Sequence, residues 1–267
     1  FGLYFLLKRE WKFIPFLLIG HVVYSIAGFY IYNDLFWVIN KIPYARLSST
    51  YGSGELFHFI DQMNYVVGIP IYILFWVGVL SIIWKSIKNK ITIEIQILIF
   101  FCFFSFFIAH SLFWYLGIFN SMGLKRVLVG VIPLTSIIAL IGFNFITDEI
   151  LENKRTPKLI FKGLIISYIL IFPFTSNPAA IDWGKDLSLS KDQQLAKQIS
   201  ELVSQEKNSD QRFYYAHPYL SEVLNLDHFN ANKRVELTKV SIANIKSGDI
   251  VIWDNWFAVV EGGITME

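Results

Sequence analysis

The amino-acid sequence predicts a polytopic α-helical membrane protein with about five spans, followed by a small soluble α/β extracytoplasmic unit. The composition supports this prediction, because 54% of the 267 residues are hydrophobic and only 16% are charged. A soluble domain has about 45–50% apolar and about 25% charged residues. The net charge of +2 is also unevenly divided, with 14 basic and 8 acidic residues in 1–175 but 9 and 13 in 176–267. One chain is therefore expected to occupy two environments.

The same composition excludes a disordered chain and a nucleic-acid-binding module, and it is unlike that of a wholly soluble enzyme. The single cysteine, Cys102, excludes an internal disulfide and a cysteine-rich metal site. The chain begins with Phe1 rather than Met and has no signal-peptide pattern. We interpret it as the C-terminal part of a longer polypeptide.

Five charge-free runs are long enough to cross a bilayer. A spanning helix needs about 20 predominantly apolar residues, because hydrocarbon offers its backbone no other hydrogen-bond partner. The third run is longer than one span requires, so part of it is expected to be an exit segment. Membrane helices tolerate the prolines in these runs through local repacking. The runs are 13–33, 62–84, 95–124, 127–147 and 163–181, and the prolines are Pro70, Pro133 and Pro173.

The short loops predict the orientation. Those on one side carry ten Lys or Arg residues, and those on the other side carry four, namely Lys41, Arg46, Lys125 and Arg126. The positive-inside rule places the first side in the cytoplasm. An odd number of spans then places residues from about 176 onward outside, which for the inner membrane of a bacterium is the periplasm.

Two outer segments follow from this topology, a loop at 34–64 and a domain at 182–267 that follows the membrane region 1–181. The aromatic-rich start of the loop suits a helix lying in the membrane interface. The domain is expected to have α/β character, although it ends just after another strand-like run and is interpreted as incomplete. It begins with a possible capping box and one apolar helical face. These features are Ser190 with Gln193, the face of Leu195, Ile199, Leu202 and Val203, and strands at 213–216, 235–240 and 250–253.

Placing an ionisable side chain in or beside the membrane costs free energy, so each such residue is a candidate functional residue. His110 lies inside the third run, with Trp114 one turn later and Ser121 beyond the exit. Lys125 and Arg126 stand at the outer mouth of the fourth span, where an Arg fork beside a Lys point charge could hold a lipid phosphate. The alternatives are that the two cations only anchor a helix end and that His110 only bonds a neighbouring helix.

The outer domain offers one weaker candidate. Trp253 and Asp254 could form a sugar-stacking surface with a hydrogen-bonding carboxylate, although packing at a strand end is the alternative. His217 and His228 have no partner at zinc-ligand spacing, and no Gly-rich phosphate loop or Ser-His-Asp order occurs. No metal ligand is therefore assigned within the chain.

Three segments resemble the GT-C superfamily of polytopic glycosyltransferases, which includes the protein mannosyltransferases and the aminoarabinose transferase. The first starts at His110, passes through a small-residue turn to Gly123-Leu-Lys-Arg126 and enters a helix containing Pro133. The others are the loop Tyr51-Gly-Ser-Gly54 and the strand Gly248-Asp-Ile-Val-Ile-Trp-Asp254.

The resemblance implies transfer of a sugar from a polyprenyl phosphate to an acceptor on the outer face of the membrane. The resemblance assigns the role of the family's outer-face Arg to Arg126. It places His110, Trp114, Ser121 and Tyr51 in the lining of the same cavity. It also implies an acidic residue in an earlier outer loop, upstream of Phe1, acting as base or as ligand of a divalent metal in the full-length enzyme. The principal catalytic carboxylate is therefore expected to lie outside this chain.

The order of features along the chain supports the same function. Apolar helices suit the hydrocarbon tail of such a donor, the interfacial cation pair suits its phosphate, and the outer unit suits its sugar. The expected partners are membrane lipid and a polyprenyl-phosphate-linked sugar. The alternative is a non-catalytic membrane subunit whose outer domain docks partner proteins. A transporter finds no support, since no inverted repeat is visible.

Overall fold

The structure, a computed structural model, describes residues 1–40, 49–206, 211–227, 230, 232–239 and 241–265, with the backbone alone at 204–206. Lys41, Arg46 and His228, which the sequence analysis named, lie outside the described residues. The chain divides into two compact units, Phe1–Trp183 and Gly184–Glu267.

Five helices of the first unit are long and apolar enough to cross a membrane, which confirms the predicted number and is compatible with an integral membrane protein. They are α2 (Trp11–Tyr32), α5 (Ile69–Ile87), α6 (Ile95–Leu116), α7 (Lys125–Ile150) and α8 (Arg155–Phe174). Three shorter helices accompany them, α1 (Gly2–Leu7), α3 (Trp37–Asn40) and α4 (His58–Val67).

The structure sets the boundaries of three of the predicted runs. The run 62–84 is interrupted at Gly68 (φ 79°), so its first part belongs to α4, and α5 begins with Pro70 in its first turn. Helix α6 ends at Leu116 because Gly117 takes the left-handed conformation, which confirms an exit segment at 117–124. Helix α8 begins at Arg155 rather than at residue 163 and ends at Phe174.

Helix α7 changes its winding along its length. Residues Lys125–Val131 form a 3-10 helix, and Ile132–Asn144 form an α-helix with Pro133 in its first turn. Proline has no N–H and its ring clashes with the carbonyl four residues earlier, so the α-helical hydrogen-bond pattern cannot continue backward through Pro133. The tighter 3-10 winding therefore occupies the segment before it.

The core of the first unit lies between α5 and α7. A Cβ built on Gly78 would lie 1.9 Å from the carbonyl oxygen of Ile138, and one on Gly142 would lie 2.2 Å from that of Leu74. Only glycine permits this close approach of the two backbones. Buried side chains on α4, α5, α6 and α7 surround the contact, among them Phe59, Phe75, Ile82, Phe103 and Ile138.

Ion pairs join the helix ends that the charge rule places in the cytoplasm. Lys8 pairs with Glu94 at 2.6 Å, and Lys158 pairs with Asp148 at 2.8 Å. Lys85 also pairs with Glu149. The hydrogen bond from Lys8 lowers the pKa of Glu94 to about 2. These pairs connect α1 to the start of α6, and α5 and α8 to the end of α7.

The second unit contains a three-stranded parallel sheet in the order β2-β1-β3. Its strands are β1 (Phe213–Tyr215), β2 (Arg234–Glu236) and β3 (Ile250–Ile252), and its helices are α9 (Lys191–Glu206) and α10 (Tyr219–Val223). Each strand begins within a predicted strand or one residue before it. Val240, the last residue of the second prediction, is outside the described residues.

Helix α9 confirms the predicted capping box but corrects the predicted apolar face. The Ser190 N–H donates to Gln193 Oε1 at 2.9 Å, and the Gln193 N–H donates to Ser190 Oγ at 3.3 Å. Leu195 and Leu202 are 55% and 67% exposed. The residues that pack on the sheet are Ala196, Ile199 and Val203. Their spacing of three, four and seven defines one face about 60° wide. Ile199 is at one edge of this face, and Leu195 and Leu202 lie about 40° and 60° beyond it.

Candidate functional site

The loop before α4 is fastened to the exit segment after α6. The Ser49 N–H donates to the Gly117 carbonyl at 2.7 Å, and Ser49 Oγ donates to the Ser121 carbonyl at 3.0 Å. The Gly54 N–H donates to the Trp114 carbonyl at 3.2 Å. The structure thus brings together the predicted loop at 51–54, Trp114 and Ser121, which are distant in sequence.

Trp114 lies between two glycines. A Cβ on Gly54 would lie 2.1 Å from Trp114 Nε1, and a Cβ on Gly123, whose φ is 63°, would lie 2.7 Å from Trp114 Cε2. Neither position accepts a side chain without moving the indole. The Nε1 atom is buried and has no hydrogen-bond partner among the described residues. Trp114 is therefore a half-buried link between the loop and the exit segment.

His58 completes this junction and is not among the residues predicted from the sequence. Its Nε2 lies 2.7 Å from the Gly123 carbonyl oxygen, and its ring centroid lies 5.8 Å from that of Trp114. A carbonyl oxygen only accepts, so Nε2 carries the hydrogen and donates it. The Nδ1 atom has no hydrogen-bond partner within the described part of the chain.

Lys125 and Arg126 follow two residues later, at the start of α7. The Lys125 Nζ lies 4.8 Å from the ring centroid of Tyr65 on α4, within the range of a cation–π interaction. Arg126 is exposed, and its guanidinium makes no ion pair or hydrogen bond with any described residue. One cation is held against the protein, and the other is available to a ligand.

His110 has a different environment from the cation pair. It lies inside α6, where its ring packs at 4.4 Å from Phe106 and at 5.6 Å from Phe113. Trp114, one turn further along the helix, makes its ring contact with His58 instead. His110 is thus surrounded by aromatic rings. Among the described residues, no contact joins it to Arg126.

An apolar cavity of about 320 Å³ lies among α4, α5, α6 and the end of the preceding loop. Ser111, which is 6% exposed, lines it with an Oγ that has no described hydrogen-bond partner. Ile60 and Met63 line the cavity from α4. His58 and Tyr65 are seven residues apart on another side of the same helix and meet the exit segment and Lys125. Helix α4 thus has the cavity on one side and the cations on the other.

In the second unit, Trp253 and Asp254 have structural partners. The Trp253 Nε1–H donates to the Ile264 carbonyl at 3.2 Å. Asp254 Oδ1 caps the turn at Asn255–Glu261 by accepting from the N–H groups of Trp256 at 3.0 Å and Phe257 at 2.5 Å. The described contacts correspond to the packing alternative for these two residues.

The described residues contain no group of three His, Cys, Asp or Glu side chains that could hold a metal ion. Compared with protein-family models, with curated protein sequences and with solved structures, the chain has no match. Its function therefore rests on the geometry of the chain itself.

Proposed function

We propose that the chain is the membrane-embedded and outer part of a glycosyltransferase that takes its sugar from a polyprenyl phosphate. In this proposal Arg126 and Lys125 bind the phosphate at the outer interface of a bacterial inner membrane, and residues 182–267 lie in the periplasm. The observation that carries it is the exposed, unpaired Arg126 guanidinium beside a lysine fixed by Tyr65. A cation pair on an outer loop runs against the positive-inside tendency. Binding of an anionic ligand would explain why the two cations are there.

The chemistry of a lipid phosphate fits these groups. A planar guanidinium donates two parallel hydrogen bonds to phosphate oxygens, and the ammonium adds a point charge. In the transfer, an acceptor hydroxyl oxygen forms a bond to the anomeric carbon while the bond from that carbon to the phosphate oxygen breaks. The leaving phosphate gains negative charge, which the two cations stabilise.

The apolar cavity on the other side of α4 is a second feature that supports a lipid ligand. Its volume of about 320 Å³ and its lining of aromatic and aliphatic side chains suit a segment of hydrocarbon chain. The base that activates the acceptor, and the ligands of any divalent metal, are proposed to lie outside this chain. Arg126 and Lys125 are thus proposed to bind and stabilise the phosphate, not to transfer protons.

Variants of Arg126 test the phosphate contact. Binding of geranylgeranyl phosphate, with geranylgeraniol as the uncharged control, is measured by native mass spectrometry for wild type, Arg126→Lys and Arg126→Ala. A charge-assisted hydrogen bond contributes about 1.5–3 kcal/mol, so each variant should lose about tenfold or more in affinity. Arg155 is a matched control, because it is also exposed at the start of a spanning helix, and Arg155→Ala should bind as wild type does.

The alternative role predicts another pattern. If Arg126 only anchors a helix end, lysine replaces it without loss, because both side chains snorkel to the interface. Full binding by both variants contradicts the phosphate contact. Sugar transfer by the full-length protein, compared among the same variants, then tests the enzymatic part of the proposal.

The proposed orientation has a separate test. An impermeant thiol reagent applied to intact cells or spheroplasts should label Ser247→Cys, an exposed residue of the second unit, and spare Asn89→Cys between α5 and α6. Cys102 is replaced by Ala in both variants. The reverse labelling pattern would place the cation pair on the cytoplasmic side and remove the proposed outer-face site.

A second candidate, a non-catalytic membrane subunit whose outer domain docks partner proteins, is favoured by one observation. His21 lies near the middle of α2, is exposed and has no partner among the described residues. Ionisable groups inside a membrane almost always face a partner or a cavity. A partner chain that is retained in native mass spectra of the wild type and lost from His21→Leu would favour this function.

A further inference from the structure

A polar cavity of about 480 Å³ lies in the second unit, and its lining shares no residue with the candidate site described above. Arg212, which directly precedes β1, and Lys246, in the turn before β3, contribute the two cations of its lining. Tyr214, Ser241 and Asn244 contribute most of its remaining polar groups. Residues 176–267 carry 9 basic and 13 acidic side chains. Two basic side chains in one cavity are therefore unusual for this net-negative part of the chain.

Asp249 bonds to both cationic residues but does not neutralise their side chains. Asp249 Oδ2 accepts from the Lys246 N–H at 2.8 Å, and Asp249 Oδ1 accepts from the Arg212 N–H at 3.4 Å. Its oxygens are thereby turned to the backbone amides of these residues rather than to their side chains. Within the described part of the chain, neither the Arg212 guanidinium nor the Lys246 ammonium forms an ion pair.

Of the other polar side chains in the lining, the two hydroxyls already donate to carbonyls, and Asn244 has an amide that is free among the described residues. The Tyr214 hydroxyl donates to the Asn244 carbonyl at 3.2 Å, and Ser241 Oγ donates to the Thr238 carbonyl at 3.0 Å. The side-chain amide of Asn244 is exposed and has no described partner. The guanidinium of Arg212, the ammonium of Lys246 and the side-chain amide of Asn244 are therefore available at one site. All three can donate hydrogen bonds to a ligand.

We propose that this cavity binds a ligand bearing a phosphate group, with Arg212 as the bidentate donor and Lys246 as the second positive charge. A phosphate group has enough oxygens for all three donors, whereas a carboxylate has two. The cavity has room for more than an isolated ion, so the ligand is a phosphate ester. It is either a soluble phosphate ester or the headgroup of an anionic phospholipid. The site is independent of Arg126 and of the function proposed above.

Chemical labelling of Lys246 in the full chain tests the site. The protein is placed in phosphatidylcholine nanodiscs, and acetylation of Lys246 by an amine-reactive ester is followed by mass spectrometry with and without glycerol 3-phosphate. A second arm uses nanodiscs containing phosphatidylglycerol. Lys191, an exposed lysine at the start of α9 that does not line the cavity, is the internal control in every sample.

We expect a bound phosphate to slow the acetylation of Lys246 severalfold and to leave Lys191 unchanged. In Arg212→Gln the affinity should fall about tenfold, which corresponds to about 1.4 kcal/mol. Protection by glycerol 3-phosphate identifies a soluble ester as a ligand, and protection in the phosphatidylglycerol arm alone identifies a lipid headgroup. Absence of protection in both arms, equal protection of Lys191, or equal protection in Arg212→Gln would overturn the proposal.

Discussion

Helices α5 and α2 are both long and apolar enough to span a membrane, yet they are stabilised differently. In α5, 39% of the most apolar 18 residues are buried inside the protein, against 6% in α2. Helix α5 packs on α7 through Gly78 and Gly142, whereas the main described partner of α2 is Trp37, which lies against Gly28 and donates to the Tyr24 carbonyl at 2.6 Å. Hydropathy alone does not distinguish the two helices, because lipid and protein interior are similarly apolar.

The largest difference is expected when a methyl group is added to a glycine of each helix. Gly142→Ala places a Cβ against backbone atoms of α5 that cannot rotate away, so we expect a loss of about 1–3 kcal/mol or more. Gly20→Ala in α2 meets no atom within 4 Å and should cause no loss. Thermal unfolding in detergent measures both, and equal midpoints for the two variants would contradict the role given to the α5–α7 contact.

An intermediate effect is expected at the junction of the loop and the exit segment, which is held by hydrogen bonds rather than by close helix packing. His58→Gln keeps an N–H donor for the Gly123 carbonyl, whereas His58→Phe removes it at a cost of about 1–3 kcal/mol. Hydrogen exchange in residues 49–58 and 117–124 should therefore rise in the Phe variant and stay near wild type in the Gln variant. If both variants exchange alike, this hydrogen bond does not hold the junction.

The smallest effect is expected at the exposed pair of Lys8 and Glu94, which ties α1 to α6. The pKa of Glu94 is lowered to about 2 by Lys8, so the stabilisation is present above the ordinary pKa of about 4.5 and is lost as the pH falls through about 2. The difference in unfolding midpoint between wild type and Glu94→Gln should therefore be constant from pH 7 to 5 and shrink below that range. A difference that grows on acidification would contradict this assignment.

Features defined by neighbouring residues could be predicted from the sequence. The five helices of spanning length, the capping box of Ser190 and Gln193, and the exit segment after Leu116 all depend on residues within about one span of each other. The interruption of the second run at Gly68 was equally local, since Pro70 follows two residues later. Leu195 and Leu202 were assigned to the core because an apolar helical pattern is often wider than the face that is buried.

Contacts between distant segments could not be predicted in the same way. His58 meets Gly123 across 65 residues, and no periodicity or motif in one sequence reports such a pair. The grouping of Tyr51, Trp114 and Ser121 was expected from a family resemblance rather than from residue chemistry. The two cations lining the cavity of the second unit are 34 positions apart, and they come together because β1 and β3 are neighbours in the sheet.

The change of winding in α7 determines where Arg126 points. A 3-10 helix turns about 120° and rises about 2.0 Å per residue, against about 100° and 1.5 Å in an α-helix. Over the six steps from Ile132 back to Arg126, the guanidinium is therefore rotated by about 120° and advanced by about 3 Å relative to a continuous α-helix. Pro133 therefore sets the direction of the Arg126 side chain from seven residues away. Replacing it, as in Pro133→Leu, would turn this side chain by about a third of the helix circumference while leaving the residues next to Arg126 unchanged.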